Sequence, residues 1–125
     1  MKTTQIPRSE WPAFLDRFNR QHEGWLVKLE IFDPEIGAQV EETGLPLSGL
    51  TVEWDEVEGD TMTIMAGHKP DDHVTHSISQ PTEINLEQTD EGADTALSIK
   101  SADGTTALLS FRVAVLPETV DAVAA

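Results

Sequence analysis

The stretch "TALSIKSADGTTALLSFRVAV", Thr95–Val115, decides how the rest of the chain is read. Asp103-Gly104 stands between two runs whose apolar residues recur at every second position, the pattern of two strands joined by a tight turn. A two-residue Asp-Gly loop would set Leu97 against Ser110 and Ser98 against Leu109, mixing both faces. A three-residue loop, Ala102-Asp103-Gly104, sets Ile99 against Ala107 and Leu97 against Leu109, with Gly104 supplying the left-handed position. One face is then wholly apolar, so this is the register predicted.

Upstream, the same period of two recurs. "GWLVKLEIFD" (24–33) puts Trp25, Val27, Leu29 and Ile31 on one face, and "DPEIG" is turn chemistry. "AQVEETGLPLSGLTVEWDEV" (38–57) reads as a short strand, a loop around Gly44–Gly49 and a second strand with Leu50, Val52 and Trp54 in phase. "TMTIMAGH" alternates Met62, Ile64 and Ala66; "TEINLEQ" alternates Ile84 and Leu86 against Glu83, Asn85 and Glu87.

Only "SEWPAFLDRFNRQHEG" (9–24) has helical spacing. Trp11, Phe14, Leu15 and Phe18 form one stripe, Ser9 is the expected N-cap, Pro12 lies in the first turn and Gly24 follows the end. The expectation is a mainly β chain (α+β by count): a small antiparallel β-barrel or sandwich of seven to eight strands with one N-terminal amphipathic helix. Residues 1–125 are read as a single domain, with the helix over 9–23, the β region over 24–116 and a tail over 117–125. Every strand shows one polar face, so the helix stripe is expected to cover the sheet on one side.

Composition excludes more than it assigns. The absence of cysteine rules out disulfides, zinc–thiolate sites and thiol catalysis. Twenty-three acidic residues stand against eight basic ones, a net charge of −15. Residues 1–28 carry five basic side chains (Lys2, Arg8, Arg17, Arg20, Lys28) against Glu10, Asp16 and Glu23, whereas 29–125 carry only Lys69, Lys100 and Arg112 against 20 acidic ones. Such a surface repels phosphate backbones and anionic bilayers, so neither nucleic acid nor membrane is an expected partner. Excess acid serves solubility, suits a salty cytoplasm, or awaits a cationic partner. No apolar run has signal-peptide or membrane-span length, and the expected location is cytoplasmic.

Candidate chemistry is sparse. In "KPDDHVTHSIS" (69–79), His73 and His76 are three residues apart, so in a strand they point to opposite faces and do not chelate one ion. Setting Ile64 opposite Ile78 and Ala66 opposite His76 places His68 opposite Val74, with a loop over 69–73. His68 and His76 then share a face diagonally, at roughly 7–8 Å, as the candidate ligand or metal pair. "DEVEGD" (55–60) fails as a calcium loop because Val57 stands at the third position and Gly59 at the fifth. No nucleophile elbow, phosphate-cradling loop or dinucleotide fingerprint occurs, so no catalytic residue and no cofactor are expected. Trp11, Trp25 and Trp54 are in phase with apolar neighbours and are read as core. On the helix, Arg17 and Arg20 with His22 make a possible interaction face for an acidic partner surface.

The segments "RQHEGW", "LPLSGL", "DDHVTHSI", "EGADTALSIKSADGTTALLSFR" and "VLPETV" together resemble a small bacterial domain family of unknown function, over nearly the whole chain. That resemblance implies no activity, substrate, cofactor or site residue. The functional expectation is therefore a binding or accessory domain acting through protein–protein contact or self-association, a homodimer included. The alternative is a small-molecule or metal-dependent activity centred on His68 and His76.

Overall fold

A computed structural model describes residues 2–67 and 73–115. β1 (Lys2–Ile6) leads through a 3-10 turn (Arg8–Glu10) into helix α1 (Trp11–His22). β2 (Leu26–Asp33), β3 (Gly37–Glu53), β4 (Thr61–Ala66), β5 (Val74–Ser79), β6 (Pro81–Gln88), β7 (Asp94–Ser101) and β8 (Thr106–Val115) follow. All pairings are antiparallel, in the order β1-β6-β7-β8-β2-β3-β4-β5. The predicted class holds, and the sheet ends on two edges, β1 and β5, without closing into a barrel.

The β7–β8 hairpin has the predicted register: Ile99 faces Ala107 and Leu97 faces Leu109. Gly104 takes φ +92° and donates to Ser101 O at 3.1 Å, closing the three-residue loop. Leu97, Ile99, Ala107 and Leu109 are all buried with Val27, Leu29 and Ile31 of β2 and Ile84 of β6. Trp11, Phe14, Leu15 and Phe18 join the same cluster, so the helix stripe covers the sheet as its spacing implied. At about 25 cal/mol per Å2 of apolar surface, each of the Val, Leu, Ile and Phe side chains among them contributes about 1.5–3 kcal/mol.

Four details differ from the sequence reading. β1 was not foreseen: Lys2, Thr3, Thr4 and Gln5 are exposed, so no apolar period marks a strand that backbone pairing holds on β6, with Ile6 at its end packed on the core. The predicted loop at Gly44–Gly49 is instead the middle of one 17-residue strand. β3 pairs with β2 through Pro46 and with β4 from Leu47 onward. Ser48 is an extra residue at the register shift between Leu47 and Gly49, so buried Leu47 and Leu50, three apart, can face the same core. The helix begins at Trp11 rather than Ser9. Glu10 occupies the N-cap without a side-chain hydrogen bond, and its N–H donates to Pro7 O at 2.8 Å. Finally, β4 and β5 pair two residues away from the expected register: Met62 faces Ile78, Ile64 faces His76 and Ala66 faces Val74.

The bulge is also where α1 is fastened to β3. Asn19 donates from Nδ2 to Leu50 O at 2.8 Å and accepts at Oδ1 from Leu50 N at 2.9 Å, replacing two ladder partners that the irregular strand lacks. Beside it, a Cβ on Gly49 would lie 3.4 Å from the Asn19 side chain. Asn19→Ala strands both backbone groups and is expected to lower the unfolding free energy by about 2 kcal/mol in urea titration. Asn19→Leu should be no better, because volume is not what Asn19 supplies.

Candidate functional site

The helix's predicted interaction face divides. Arg17 and Arg20 are exposed, Arg20 paired with Asp16 at 2.5 Å one turn back and Arg17 lying 6.0 Å over the Phe14 ring. His22 does not belong with them: it is 0% exposed. Its ring packs between Phe18 and Phe111, at centroid distances of 4.4 and 4.6 Å. Nδ1 donates to Phe18 O at 2.9 Å, one turn earlier, which leaves Nε2 as the nitrogen 3.1 Å from Asp94 Oδ2. That second contact is close but poorly aligned, and Nε2 has no well-formed hydrogen bond. The contact is attractive only with a proton between nitrogen and carboxylate. Asp94, 3% exposed, also accepts from Gln88 Nε2 at 2.8 Å. A His–Asp pair of this kind suggests a catalytic dyad, but Nδ1 is committed to Phe18 O and no solvent reaches the ring. It is a brace between α1 and β7.

A well-formed surface feature is built on a residue that the sequence pattern places in the core. Trp54, just past the end of β3, is 47% exposed. It stacks on buried Trp11, with ring centroids 5.9 Å apart and planes 20° off parallel. Trp11 is itself fixed, because Nε1 donates to Ile6 O at 2.9 Å. The Arg8 guanidinium lies 4.7 Å from the Trp54 ring and 5.2 Å from Trp11, and pairs with Asp60. A planar cation over two indoles is a favourable arrangement, worth about 0.5–1 kcal/mol where exposed.

The turn after Trp54 shapes a cleft of about 500 Å3 lined by Arg8, Asp55, Glu56, Gly59, Asp60, Gln80, Pro81 and Thr82. Asp55 accepts at Oδ1 from Val57 N (2.8 Å) and Glu58 N (3.0 Å), which folds "DEVEGD" into a tight turn. The Glu58 amide, and then that of Val57, holds the Asp55 carboxyl below its ordinary range, so it stays ionised. Asp60 accepts from Asp55 N at 3.1 Å with one oxygen and takes Arg8 on the other.

Opposite, Gln80 has φ +52°, the one left-handed non-glycine residue among the described residues. Its N–H donates to Asp60 O at 2.8 Å and its carbonyl accepts from Ala102 N at 3.0 Å, so two hairpins hold it there. A left-handed backbone costs a non-glycine residue about 1–2 kcal/mol. Gln80→Gly is therefore expected to raise the melting temperature by a few degrees while thinning the cleft wall; a lower melting temperature would show that the Gln80 side chain contributes more than its backbone costs.

The histidine candidates fare unequally. His68 lies outside the described residues, and the position opposite Val74 predicted for it is taken by Ala66. His76 keeps its predicted face, in phase with buried Ile78, while exposed His73 precedes β5. His76 lines a second cleft, of about 230 Å3, whose other wall is the β7–β8 turn. Among the described residues no three His, Asp or Glu side chains come close enough together to hold a metal ion. Nor is any described helix long and apolar enough to cross a membrane.

No solved structure matches the chain. An uncharacterized protein of Aquifex aeolicus (strain VF5) is 33% identical over 119 residues, which cover 94% of this chain and 100% of that protein. The family model that matches, over residues 2–119, takes in β1, the Trp11–Trp54 stack, both clefts and the His22–Asp94 brace alike. The chain therefore belongs to DUF5335, a family of unknown function.

Proposed function

We propose that the chain is a cytoplasmic, non-catalytic binding module that works by protein–protein contact, and that exposed Trp54, with the cleft that begins at Arg8, is its contact surface. One observation carries this reading: Trp54 is held flat and half-exposed by Trp11 and Arg8 where burial would have been the default for an indole. A rigid aromatic beside an arginine is the composition of interface hot spots, because it offers large apolar area at little entropy cost. Gln80 supports the same reading, since backbone strain held by two hairpins gathers at working sites. The Arg17–Arg20 face supports it less: Asp16 already offsets Arg20, and His22 is withdrawn into the core.

The partner is another protein or a second copy of the chain. Affinity capture from an extract of cells that natively express the chain, with sedimentation equilibrium of the purified protein, tests both. Trp54→Ala should abolish whatever association wild type shows, while the charge reversals Arg17→Glu and Arg20→Glu leave it within about twofold. Equal association by wild type and Trp54→Ala, or none by wild type, would remove the proposal.

A further inference from the structure

The cleft at His76 is separate from the Trp54 surface and has the make-up of a small-ligand site. Three parts of the chain far apart in sequence build it: Ile31 of β2, His76 and Ile78 of β5, and Ser101, Asp103, Thr105 and Ala107 around the β7–β8 turn. At about 230 Å3 it holds on the order of eight water-sized groups of about 30 Å3. Ile31, Ile78 and Ala107 are buried and make an apolar floor. Polar groups stand above them, which is the usual division of labour in a ligand pocket: apolar walls for affinity, a few polar groups for orientation.

Two of those polar groups keep hydrogen-bonding capacity that solvent meets. His76 is half-buried, yet neither ring nitrogen has a hydrogen-bond partner among the described residues. Those nitrogens are open to solvent, so a ligand can take the place of water there. Asp103 caps its own turn: Oδ1 accepts from Thr105 N at 2.9 Å and from the Ser101 hydroxyl. The Ser101 hydroxyl, and then the Thr105 amide, holds the Asp103 carboxyl below its ordinary range. It is thus an anion at neutral pH, with no cation paired to it among the described residues.

We propose that this cleft binds a small organic cation: an ammonium group on a compact apolar body, with the ammonium at Asp103, the imidazole of His76 accepting or donating a further hydrogen bond, and the body on Ile31, Ile78 and Ala107. Sign selects the class. An anion would meet a fixed carboxylate on a chain of net charge −15, whereas that charge raises the local concentration of cations.

Benzylamine is a suitable probe, with benzoate and benzyl alcohol as matched controls of the same shape. Titration is followed by the methyl resonances of Ile31 and Ile78 and the ring protons of His76. Benzylamine should shift all three saturably, and neither control should do so over the same concentrations. Asp103→Asn keeps the Oδ1 acceptor of the turn and removes the charge, so it should weaken binding tenfold or more. His76→Ala, on an edge strand, gives an independent reading through the isoleucine methyls, with an expected loss of about fivefold. Equal shifts from benzoate, unchanged binding in both variants, or no saturable shift at the isoleucines would overturn the proposal.

Discussion

Asp94→Ala is expected to be among the most destabilising single substitutions in the chain, lowering the unfolding free energy by about 3–5 kcal/mol. The reason is what it leaves behind. His22 cannot turn to solvent, since it is 0% exposed between Phe18 and Phe111 with Nδ1 committed to Phe18 O. Without Asp94, Nε2 loses the carboxylate 3.1 Å away, and Gln88 Nε2 loses its shorter acceptor, at 2.8 Å. Removing one member of a buried pair costs more than removing both, so His22→Leu combined with Asp94→Leu should recover most of the loss. Thermal unfolding followed by circular dichroism measures this: a fall of roughly 10 °C or more for Asp94→Ala, largely restored in the double variant. A fall of only a degree or two for Asp94→Ala would mean that the brace contributes little.

Trp11→Ala should match it, at about 3–5 kcal/mol, for a different reason. Trp11 is 1% exposed, and its indole does three things together. It fills the junction between α1 and the sheet, ties β1 to the helix through Ile6 O, and supports Trp54 and Arg8. Truncation leaves a cavity and an unpaired carbonyl, and it lets Trp54 collapse. Trp11→Phe retains much of the volume but not the N–H, so its cost in guanidinium titration should fall near 1–2 kcal/mol. Near-equal costs for the two substitutions would assign Trp11's role to its hydrogen bond instead of its bulk.

Where one face of an element is buried without a break in the period, the sequence shows which side chains share that face. The β7–β8 register follows from requiring Leu97, Ile99, Ala107 and Leu109 to share a face, and the helix stripe from spacing alone. The face of His76 followed from parity with Ile78, but its cross-strand partner did not. A slip of two residues keeps every side chain on its face, so hydrophobic pattern cannot distinguish Ile64 opposite Ile78 from Ile64 opposite His76. β1 was illegible for the complementary reason: with Lys2 to Gln5 exposed and Ile6 alone half-buried, backbone pairing leaves no period in the side-chain pattern. The β3 bulge disguised a strand as a loop, because one extra residue at Ser48 breaks the period of two that defines a strand on paper.

The site residues were misjudged where long-range contacts override local phase. Trp54 is in phase with Leu50 and Val52, but β3 ends at Glu53, before that phase can bury it. His22 lies beside the polar residues of α1 in sequence, and only the arrival of Asp94 from β7 makes its burial tolerable. For Gln80 no residue-level signal existed, since its backbone angle is imposed by hydrogen bonds to Asp60 and Ala102. The DUF5335 relatives offer a direct comparison at each of these positions.

Trp54 is a platform held by Arg8 and Trp11, and not a misplaced piece of core. A double-mutant cycle on Arg8→Ala and Trp54→Ala, by urea unfolding, tests it most directly. Trp54→Ala alone should cost about 1 kcal/mol, and the two residues should couple by about 0.5–1 kcal/mol, the value of an exposed cation–aromatic contact. A loss of about 3–5 kcal/mol for Trp54→Ala, with no coupling to Arg8, would contradict it and return Trp54 to the core.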